Sequence, residues 1–173
     1  MDTTTAHLLS RHLDPSSFRC VVDEEANIVT FYLFNLSGSI VGYQQYRPGA
    51  PKTFRNDPKD GRYFTHITKP NFGVWGLESF HYREDILFIV EGIFDAVRLH
   101  NLGLPAIAIL ANCPNGMNNW LMGLGRWIVV IADDDKAGKE LLKFGDAGII
   151  CPGSHDLGGM TDDEVRTLLT HYL

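Results

Sequence analysis

The chain has 173 residues, of which 45% are hydrophobic and 21% are charged, and its formal net charge is −6. This length and composition are typical of one globular domain, or of two small lobes that share a core. The longest apolar runs, 86–90 and 127–132, are too short to cross a bilayer, and residues 1–6 lack the features of a signal peptide. We therefore expect an intracellular protein that has no membrane partner.

The first 82 residues are predicted to form a small antiparallel, β-rich lobe. Residues 1–17 favour a short helix that ends at Asp14-Pro15. Three segments rich in β-branched and aromatic residues then predict strands: 20–22, 28–34 and 40–46. The stretch 47–75 is rich in Pro, Gly, basic and aromatic residues and is predicted to be a loop with a brief strand.

The segment from Arg47 to Lys69 is basic, although the whole chain is acidic. It contains six basic residues against Asp57 and Asp60, which gives a net charge of +4 (6 − 2). A basic segment of this kind suits a polyanion that is held by its backbone, and the alternative is a solvated loop with scattered charges. The predicted nucleic-acid-binding residues are Arg47, Lys52, Arg55, Lys59, Arg62 and Lys69.

From residue 83 onward, short apolar runs alternate with segments of helical spacing. The apolar runs predict four strands: 86–90, 106–110, 128–132 and 148–150. The segments between and after them predict four helices: 93–100, 117–124, 136–144 and 161–172. Thr161 and Glu164 have the spacing of a capping box. Continuous apolar strands separated by helices predict a mostly parallel α/β sheet flanked by helices.

Acidic residues stand directly after two of these strands. Glu91 follows 86–90, and Asp133-Asp134-Asp135 follows 127–132. The carboxyl ends of parallel strands form the ligand-binding edge of a sheet, and carboxylates that converge there repel one another unless a cation neutralises them. Oxygen ligands suit Mg²⁺ or Mn²⁺, and such ions usually act on phosphates. Taken separately, Glu91 is explained as a solvated residue and the Asp run as a helix cap.

The pattern assigns a role to each polar residue of this edge. We predict three catalytic metal ligands: Glu91, Asp133 and Asp135. Asp133 and Asp135 are two residues apart, so they project to the same side if the chain stays extended, whereas Asp134 points away. Asp95 lies one turn into the next helix and serves as a further metal ligand or as a support. Lys136 holds a phosphate or neutralises the acidic residues.

The sequences VEGIFDA (90–96) and ADDDKAG (132–138) resemble the two acidic motifs of the Toprim domain. That domain is shared by bacterial-type DNA primases, topoisomerases, some nucleases and recombination proteins. Residues 34–77 resemble the small lobe that precedes Toprim in the primase catalytic core, whose basic surface guides the template. The resemblance implies a basic, β-rich primase-core-like lobe over 1–82 and a Toprim-type, mostly parallel sheet over 83–173.

The resemblance also implies a further metal ligand at Asp156, in the turn after the fourth strand of this sheet. The primase family commonly has a second acid two or three residues beyond that position. Here Gly158 and Gly159 occupy the place of the second acid. This departure weakens the case for a further ion and for full polymerising activity.

The function that the resemblance implies is that of a DNA primase. Such an enzyme is a nucleotidyltransferase that uses Mg²⁺ or Mn²⁺ to join nucleotides into short primers on single-stranded DNA during replication. Two alternatives are a Toprim nuclease that cleaves DNA or RNA, and a catalytically degenerate Toprim protein that binds nucleic acid or the replisome. The expected location is the cytoplasm of a bacterial or phage-infected cell.

The sequence has neither a cysteine pair of the zinc-ribbon type nor a phosphate-binding loop, and this bears on which partner proteins a primase would need. Cys20, Cys113 and Cys151 stand far apart and form no CxxC pair, so we expect reduced, partly buried thiols rather than disulfides or a zinc ribbon. The sequence contains no GxxxxGK[ST] loop, which argues against helicase activity in this chain. A primase of this kind would work with a separately encoded helicase or zinc-binding partner.

Overall fold

The computed structural model describes residues 3–52, 57–69, 72–81, 85–110, 115–152 and 156–173. The chain divides into two compact units, Met1–Trp75 and Gly76–Leu173. This division falls a few residues before residue 82. Arg55 and Cys113 lie outside the described residues, whereas Cys20 and Cys151 are free cysteines, as the sequence predicts.

The first unit is built on an antiparallel sheet. Its elements are α1 (Thr4–Ser10), β1 (Cys20–Asp23), β2 (Ile28–Phe34), β3 (Ile40–Tyr46), a 3-10 turn (Pro58–Asp60) and β4 (Tyr63–Ile67). The strands are ordered β1-β2-β3-β4, and every neighbouring pair is antiparallel. The predicted antiparallel lobe is therefore confirmed, and the brief strand expected within 47–75 is β4.

The first helix is shorter than the prediction over 1–17, because its end is closed before Pro15 is reached. His12 adopts a left-handed backbone conformation, with φ at 61°. The Leu13 N–H then donates to the Leu8 carbonyl at 2.9 Å, and the His12 N–H donates to the Leu9 carbonyl at 3.0 Å. This pair of bonds is a Schellman motif, and the buried Leu8 and Leu13 supply its usual hydrophobic partners.

One face of the antiparallel sheet forms the core of the first unit. Along β2 the residues Val29, Phe31 and Leu33 are fully buried, whereas those between them are not. Trp75 is buried with them, and its ring meets Phe31 edge-on with centroids 6.4 Å apart. The alternation of the sequence along β2 thus separates an apolar inner face from an outer face.

The second unit is built on a parallel sheet. Its elements are a 3-10 helix (Leu77–His81), β5 (Ile86–Val90), α2 (Ile93–Asn101), β6 (Ala106–Ala108), a 3-10 turn (Asn115–Met117), α3 (Asn118–Gly123), β7 (Trp127–Ala132), α4 (Lys136–Leu141), a 3-10 turn (Leu142–Phe144), β8 (Ala147–Ile150), a 3-10 turn (Leu157–Gly159) and α5 (Asp162–Leu168). The strands are ordered β6-β5-β7-β8, and all three pairings are parallel. The predicted α/β sheet is confirmed.

The central strands of this sheet are buried along nearly their whole length. Residues 87–90 of β5 and 128–132 of β7 are all buried, which explains why their sequences are continuous apolar runs rather than alternating ones. At α5 the capping box predicted from Thr161 and Glu164 is present in full. Within the described ranges, no helix is both long enough and apolar enough to pass through a membrane.

A buried cation joins α2 to α5. The Arg98 side chain is only 1% exposed, and its Nη2 donates to Oδ1 of Asp162 at 2.5 Å. The Asp162 side chain is 62% exposed, so water reaches the acid but not the guanidinium. A buried guanidinium that loses its charge partner is costly, because the desolvation already incurred is no longer offset.

We predict that Asp162→Asn lowers the free energy of unfolding by about 1–2 kcal/mol. This loss is smaller than for a fully buried ion pair, because the Asp162 side chain is mostly exposed to water. Chemical denaturation measures this change. The matched control is Asp163→Asn, which removes the same charge from the same first turn of α5 and hence the same helix-dipole interaction. Equal losses for the two variants would show that the Arg98 ion pair adds nothing.

Candidate active site

The carboxyl ends of β5, β7 and β8 lie at one edge of the parallel sheet. Because β7 pairs in parallel with both β5 and β8, the residues that follow these strands emerge side by side. They are Glu91 after β5, Asp133 after β7 and Cys151 after β8. The Cys151 N–H donates to the Ala132 carbonyl at 2.9 Å, which extends the β7–β8 pairing up to Asp133. The sheet topology therefore brings Glu91 and Asp133 to neighbouring strand ends.

Asp95 is fixed at the start of α2 by a hydrogen bond from a distant turn. Its Oδ1 accepts from the Gly158 N–H at 2.8 Å, and the residue is half-buried. Its Oδ2 lies 2.7 Å from the point that a Cβ on Gly92 would occupy. The carboxylate thus folds back over Gly92, so a side chain at that position would displace it.

Cys151 lies among three of the predicted acidic ligands. Burial, as the largest cause, and the negative charges of Asp95, Asp133 and Asp156 together raise the pKa of its thiol to about 12. Charge–charge interactions weaken with distance, so the three carboxylates lie within electrostatic range of the sulfur at the end of β8. Carboxylates from the start of α2, from the loop after β7 and from the turn after β8 therefore share one electrostatic environment at this edge.

The loop after β7 does not stay extended, so the expectation for Asp133 and Asp135 is wrong on this point. The Asp135 N–H donates to the Asp133 carbonyl at 2.8 Å, which requires a tight bend at Asp134. The Asp135 side chain then caps α4, with Oδ1 accepting from the Gly138 N–H at 2.7 Å. An acid that satisfies a free N–H at a helix start is stabilising there. Its role as a metal ligand stays a prediction.

Asp134, within this loop, and Lys136, directly after it, are both exposed. Asp134 forms an ion pair with Lys139, with Oδ1 and Nζ 3.0 Å apart. Lys136 is the first residue of α4 and is exposed beside the acidic loop. A cation at this place reduces the local negative charge, and its contact with a phosphate stays a prediction.

Gly138 allows α4 to pack directly on the acidic loop. A Cβ added to Gly138 would lie 2.2 Å from the carbonyl oxygen of Asp133 and 3.0 Å from its backbone nitrogen. Both atoms belong to the backbone, so the contact cannot be relieved by turning a side chain. Glycine at this position therefore sets where Asp133 stands.

The donor set suits a hard divalent ion by its chemistry but is not assembled around one. Carboxylate oxygens are the ligands that Mg²⁺ and Mn²⁺ prefer. In the part of the chain that the structure describes, however, no three His, Cys, Asp or Glu side chains stand close enough together to hold a metal ion. Binding of such an ion would require these side chains to turn towards one another.

The predicted nucleic-acid-binding residues belong to the first unit. Of the five that the structure describes, Lys52, Lys59 and Lys69 are exposed. Arg47 and Arg62 are half-buried, and each donates a hydrogen bond within the unit: Arg47 to Oε1 of Gln45 and Arg62 to the Ala50 carbonyl, both at 2.9 Å. The exposed lysines are free to meet a polyanion, whereas the arginines also brace the ends of β3 and β4.

Two residues of the site were not found from the sequence. Cys151 was assigned only a reduced, partly buried state, because nothing in its neighbourhood shows that β8 lies beside β7. Gly158 was considered only as the place of a missing acid, yet its backbone N–H binds Asp95. Every residue except proline has a backbone N–H, so the sequence gives no signal for this contact.

The fold and the acidic strand ends define a Toprim-type α/β unit that follows an antiparallel β-rich unit. No protein-family model matches the chain, and no curated protein matches it. Solved structures do: the chain is similar to a DNA primase domain from Pseudomonas aeruginosa, with a TM-score of 0.64 and 19% identity over 94% of this chain and 57% of that one.

Two further similarities point to the same fold. The E. coli primase catalytic core matches with a TM-score of 0.62 and 17% identity, over 95% of this chain and 58% of that one. The primase fragment of the bacteriophage T7 primase-helicase matches with a TM-score of 0.57 and 14% identity. This match covers 82% of this chain and 62% of that one. The chain thus has the fold of Toprim-containing primase catalytic cores, and it spans about three fifths of the length of these structures.

We predict that Gly138→Ala lowers the free energy of unfolding by on the order of 1–3 kcal/mol, because the new methyl group overlaps the Asp133 carbonyl. Chemical denaturation measures this loss. The control is Gly123→Ala in α3, where an added Cβ meets nothing within 4 Å. That variant should be as stable as the parent or slightly more so, since alanine favours helix. A Gly138→Ala protein of unchanged stability would contradict the close approach.

We also predict that Cys151 resists alkylation in the folded protein. With a pKa of about 12, only about one thiol in ten thousand is ionised at pH 8, and only the thiolate reacts. Iodoacetamide treatment followed by peptide mass spectrometry should label the half-buried Cys20 first and Cys151 only after denaturation. Native labelling of Cys151 at the rate of Cys20 would show that the thiol is neither buried nor surrounded by negative charge.

Proposed function

We propose that this protein is a DNA primase-like nucleotidyltransferase that synthesises short primers on single-stranded DNA. The observation that carries the proposal is the position of Glu91 and Asp133 at neighbouring parallel strand ends, within the fold of primase catalytic cores. A solved structure with this fold is a primase catalytic domain bound to single-stranded DNA. The basic segment between Arg47 and Lys69 supports a polyanionic template as the ligand of this chain.

The residues of the acidic edge would divide the work as follows. Glu91 and Asp133, with Asp135, would hold Mg²⁺ or Mn²⁺. When bound, such an ion polarises phosphate oxygens and favours ionisation of an attacking hydroxyl. The Gly158 N–H holds the Asp95 carboxylate in place, so Asp95 would keep its negative charge at a fixed position beside the ligands. Lys136 would bind a phosphate of the incoming nucleotide, and Asp156 would add charge from the turn after β8.

The remaining parts of the reaction would come from partners. Solved structures with this fold include a primase from Aquifex aeolicus with its zinc-binding domain and the fragment of the T7 primase-helicase. The present sequence has neither a cysteine cluster nor a nucleotide-binding P-loop. A zinc-binding or helicase protein, of bacterial or phage origin, is the partner that we propose.

A second candidate is a degenerate Toprim protein that binds nucleic acid or a replisome without catalysis. Two observations favour it: the described residues contain no ready group of three metal ligands, and Gly158 stands where a second acid is expected. Calorimetric titration with Mn²⁺ separates the two candidates. Saturable binding that is lost in Asp133→Asn supports the enzyme, whereas no binding supports the degenerate protein.

We predict that Glu91→Gln and Asp133→Asn each reduce metal-dependent primer synthesis by at least about a hundredfold, since each removes a charge from the reacting centre. The assay supplies the full chain with single-stranded DNA, nucleotides and Mg²⁺ or Mn²⁺. The control is Asp134→Asn, which removes the same charge from the same loop but only breaks the exposed ion pair with Lys139. Thermal unfolding checks that all three variants fold.

The same assay separates synthesis from cleavage. Extension requires nucleotides, whereas a Toprim nuclease shortens the DNA or RNA without them. Full synthesis by Glu91→Gln would overturn the proposed site, and metal-dependent shortening in the absence of nucleotides would replace the primase with the nuclease.

A further inference from the structure

The outer face of the antiparallel sheet carries aromatic side chains in register. Because Val29, Phe31 and Leu33 point into the core, Thr30 and Tyr32 point to the opposite face. The pairing then sets two cross-strand rows on that face. They are Tyr32, Tyr43 and His66 in one row and Thr30, Gln45 and Phe64 in the other. We call these six residues the outer aromatic face.

The rings of this face are close together; Tyr32 and His66 are exposed, whereas Tyr43 and Phe64 are half-buried. The centroid of Tyr43 lies 5.5 Å from that of His66, with 35° between the planes, and 6.2 Å from that of Phe64. Tyr32, directly opposite Tyr43 in the register, is 38% exposed, and His66 is exposed. A solvent-facing sheet surface is normally polar, so an array of four aromatic rings on it is a feature that needs an explanation.

Basic residues border the outer aromatic face after β3 and after β4, whereas Asp23 on β1 is an exposed acid at the other border of this face. The sequences of β2, β3 and β4 contain no Asp or Glu. Arg47 follows β3 by one residue, and its Nη2 donates to Oε1 of Gln45, so the guanidinium lies along this face. The segment that leads from β3 through β4 has the net charge of +4 described above. Aromatic rings beside cations attract an anionic chain that also carries flat rings.

We propose that the outer aromatic face is a stacking platform for the bases of single-stranded DNA, a proposal that rests on the primase-like function and adds a base-binding surface to it. Every base presents a π-face, so ring stacking binds single strands without sequence preference. The rings of Tyr32, Tyr43 and Phe64 meet the bases, while Arg47 and the exposed lysines meet the phosphates. Duplex DNA, whose bases are already stacked, gains nothing from this face.

The alternative occupant of an exposed aromatic face is a protein partner. Charge decides between them, because β2, β3 and β4 carry no acidic residue and lead into a segment of +4, which complements a phosphate backbone. Gln45 and Thr30 add amide and hydroxyl groups between the rings, and these can donate to base edges. A protein partner is accordingly an outcome of the test rather than a second proposal.

The experiment measures binding of fluorescent oligothymidylate to the full chain by anisotropy, without divalent metal, and compares it with an abasic oligonucleotide of the same length. The test variants are Tyr32→Ala, Tyr43→Ala and Tyr43→Phe. The matched control is Tyr63→Ala: Tyr63 in β4 is 40% exposed, nearly the same as Tyr32, but it lies on the opposite face beside Tyr46. Primer synthesis with Mg²⁺ or Mn²⁺ is measured in parallel, and thermal unfolding confirms that the variants fold.

The expected result is a loss of about tenfold in affinity for oligothymidylate in Tyr32→Ala and in Tyr43→Ala. Tyr43→Phe and Tyr63→Ala should bind as the parent does. The abasic strand should bind the parent weakly and the alanine variants equally weakly, because it lacks the stacking rings. The loss should persist at high salt, whereas the effect of Lys59→Ala should fade as salt screens the phosphate contacts.

The other outcomes distinguish failure of the stacking platform from failure of the primase-like function. Parental affinity in both alanine variants, or no preference of the parent for bases over abasic sites, overturns the platform; primer synthesis by the parent then still supports the enzyme. Base-dependent binding that is lost in the alanine variants, together with no synthesis by the parent, keeps the platform and overturns the enzyme. Failure of the parent to bind any single strand overturns the platform and favours a protein occupant.

Discussion

The parallel pairing of β5 with β7 is the constraint on which the acidic edge depends. These strands are about forty residues apart in the chain, and their register brings Glu91 and Asp133 to neighbouring positions. Carboxylates held side by side repel one another, so their charge must be balanced locally. The Gly158 N–H binds Asp95, the Gly138 N–H binds Asp135, and Lys139 pairs with Asp134. In the proposed function, Glu91 and Asp133, with Asp135, would hold the ion.

The same edge also explains why the C-terminal segment matters to a site that it does not directly follow in sequence. Helix α2 begins just after Glu91, and it is held from two directions. Asp95 near its start accepts from Gly158, and Arg98 one turn later is paired with Asp162. The segment 157–168 therefore fixes the orientation of the helix that carries Asp95, and through it the backbone next to Glu91.

The two units use opposite chemistry on the surfaces that we connect with function. The parallel sheet buries both faces and presents function only at its edge, where strands end and the backbone turns outward. The antiparallel sheet buries one face only, so its other face is available for contact, and there β2, β3 and β4 place aromatic rings and no acids. The proposed metal-dependent reaction on single-stranded DNA would use both kinds of surface, the acidic edge for the ion and the outer aromatic face for the strand.

The sequence by itself determined the elements and the two acidic strand ends. Apolar runs at 86–90 and 127–132 are long enough to define buried strands, alternation at 28–34 defines a half-buried one, and Thr161 with Glu164 defines a helix start, because each of these signals is local. The prediction for the end of α1 was wrong, because the residue type of His12 does not reveal that it adopts a left-handed backbone conformation.

Tertiary structure alone decided what the acids contact. The position of Cys151 among Asp95, Asp133 and Asp156, the Gly158 N–H on Asp95 and the bend that turns Asp135 into a helix cap all depend on strand order and on backbone groups. The outer aromatic face likewise exists only once β2, β3 and β4 are paired in register. Local sequence sets which residues alternate, whereas long-range pairing sets which of them become neighbours.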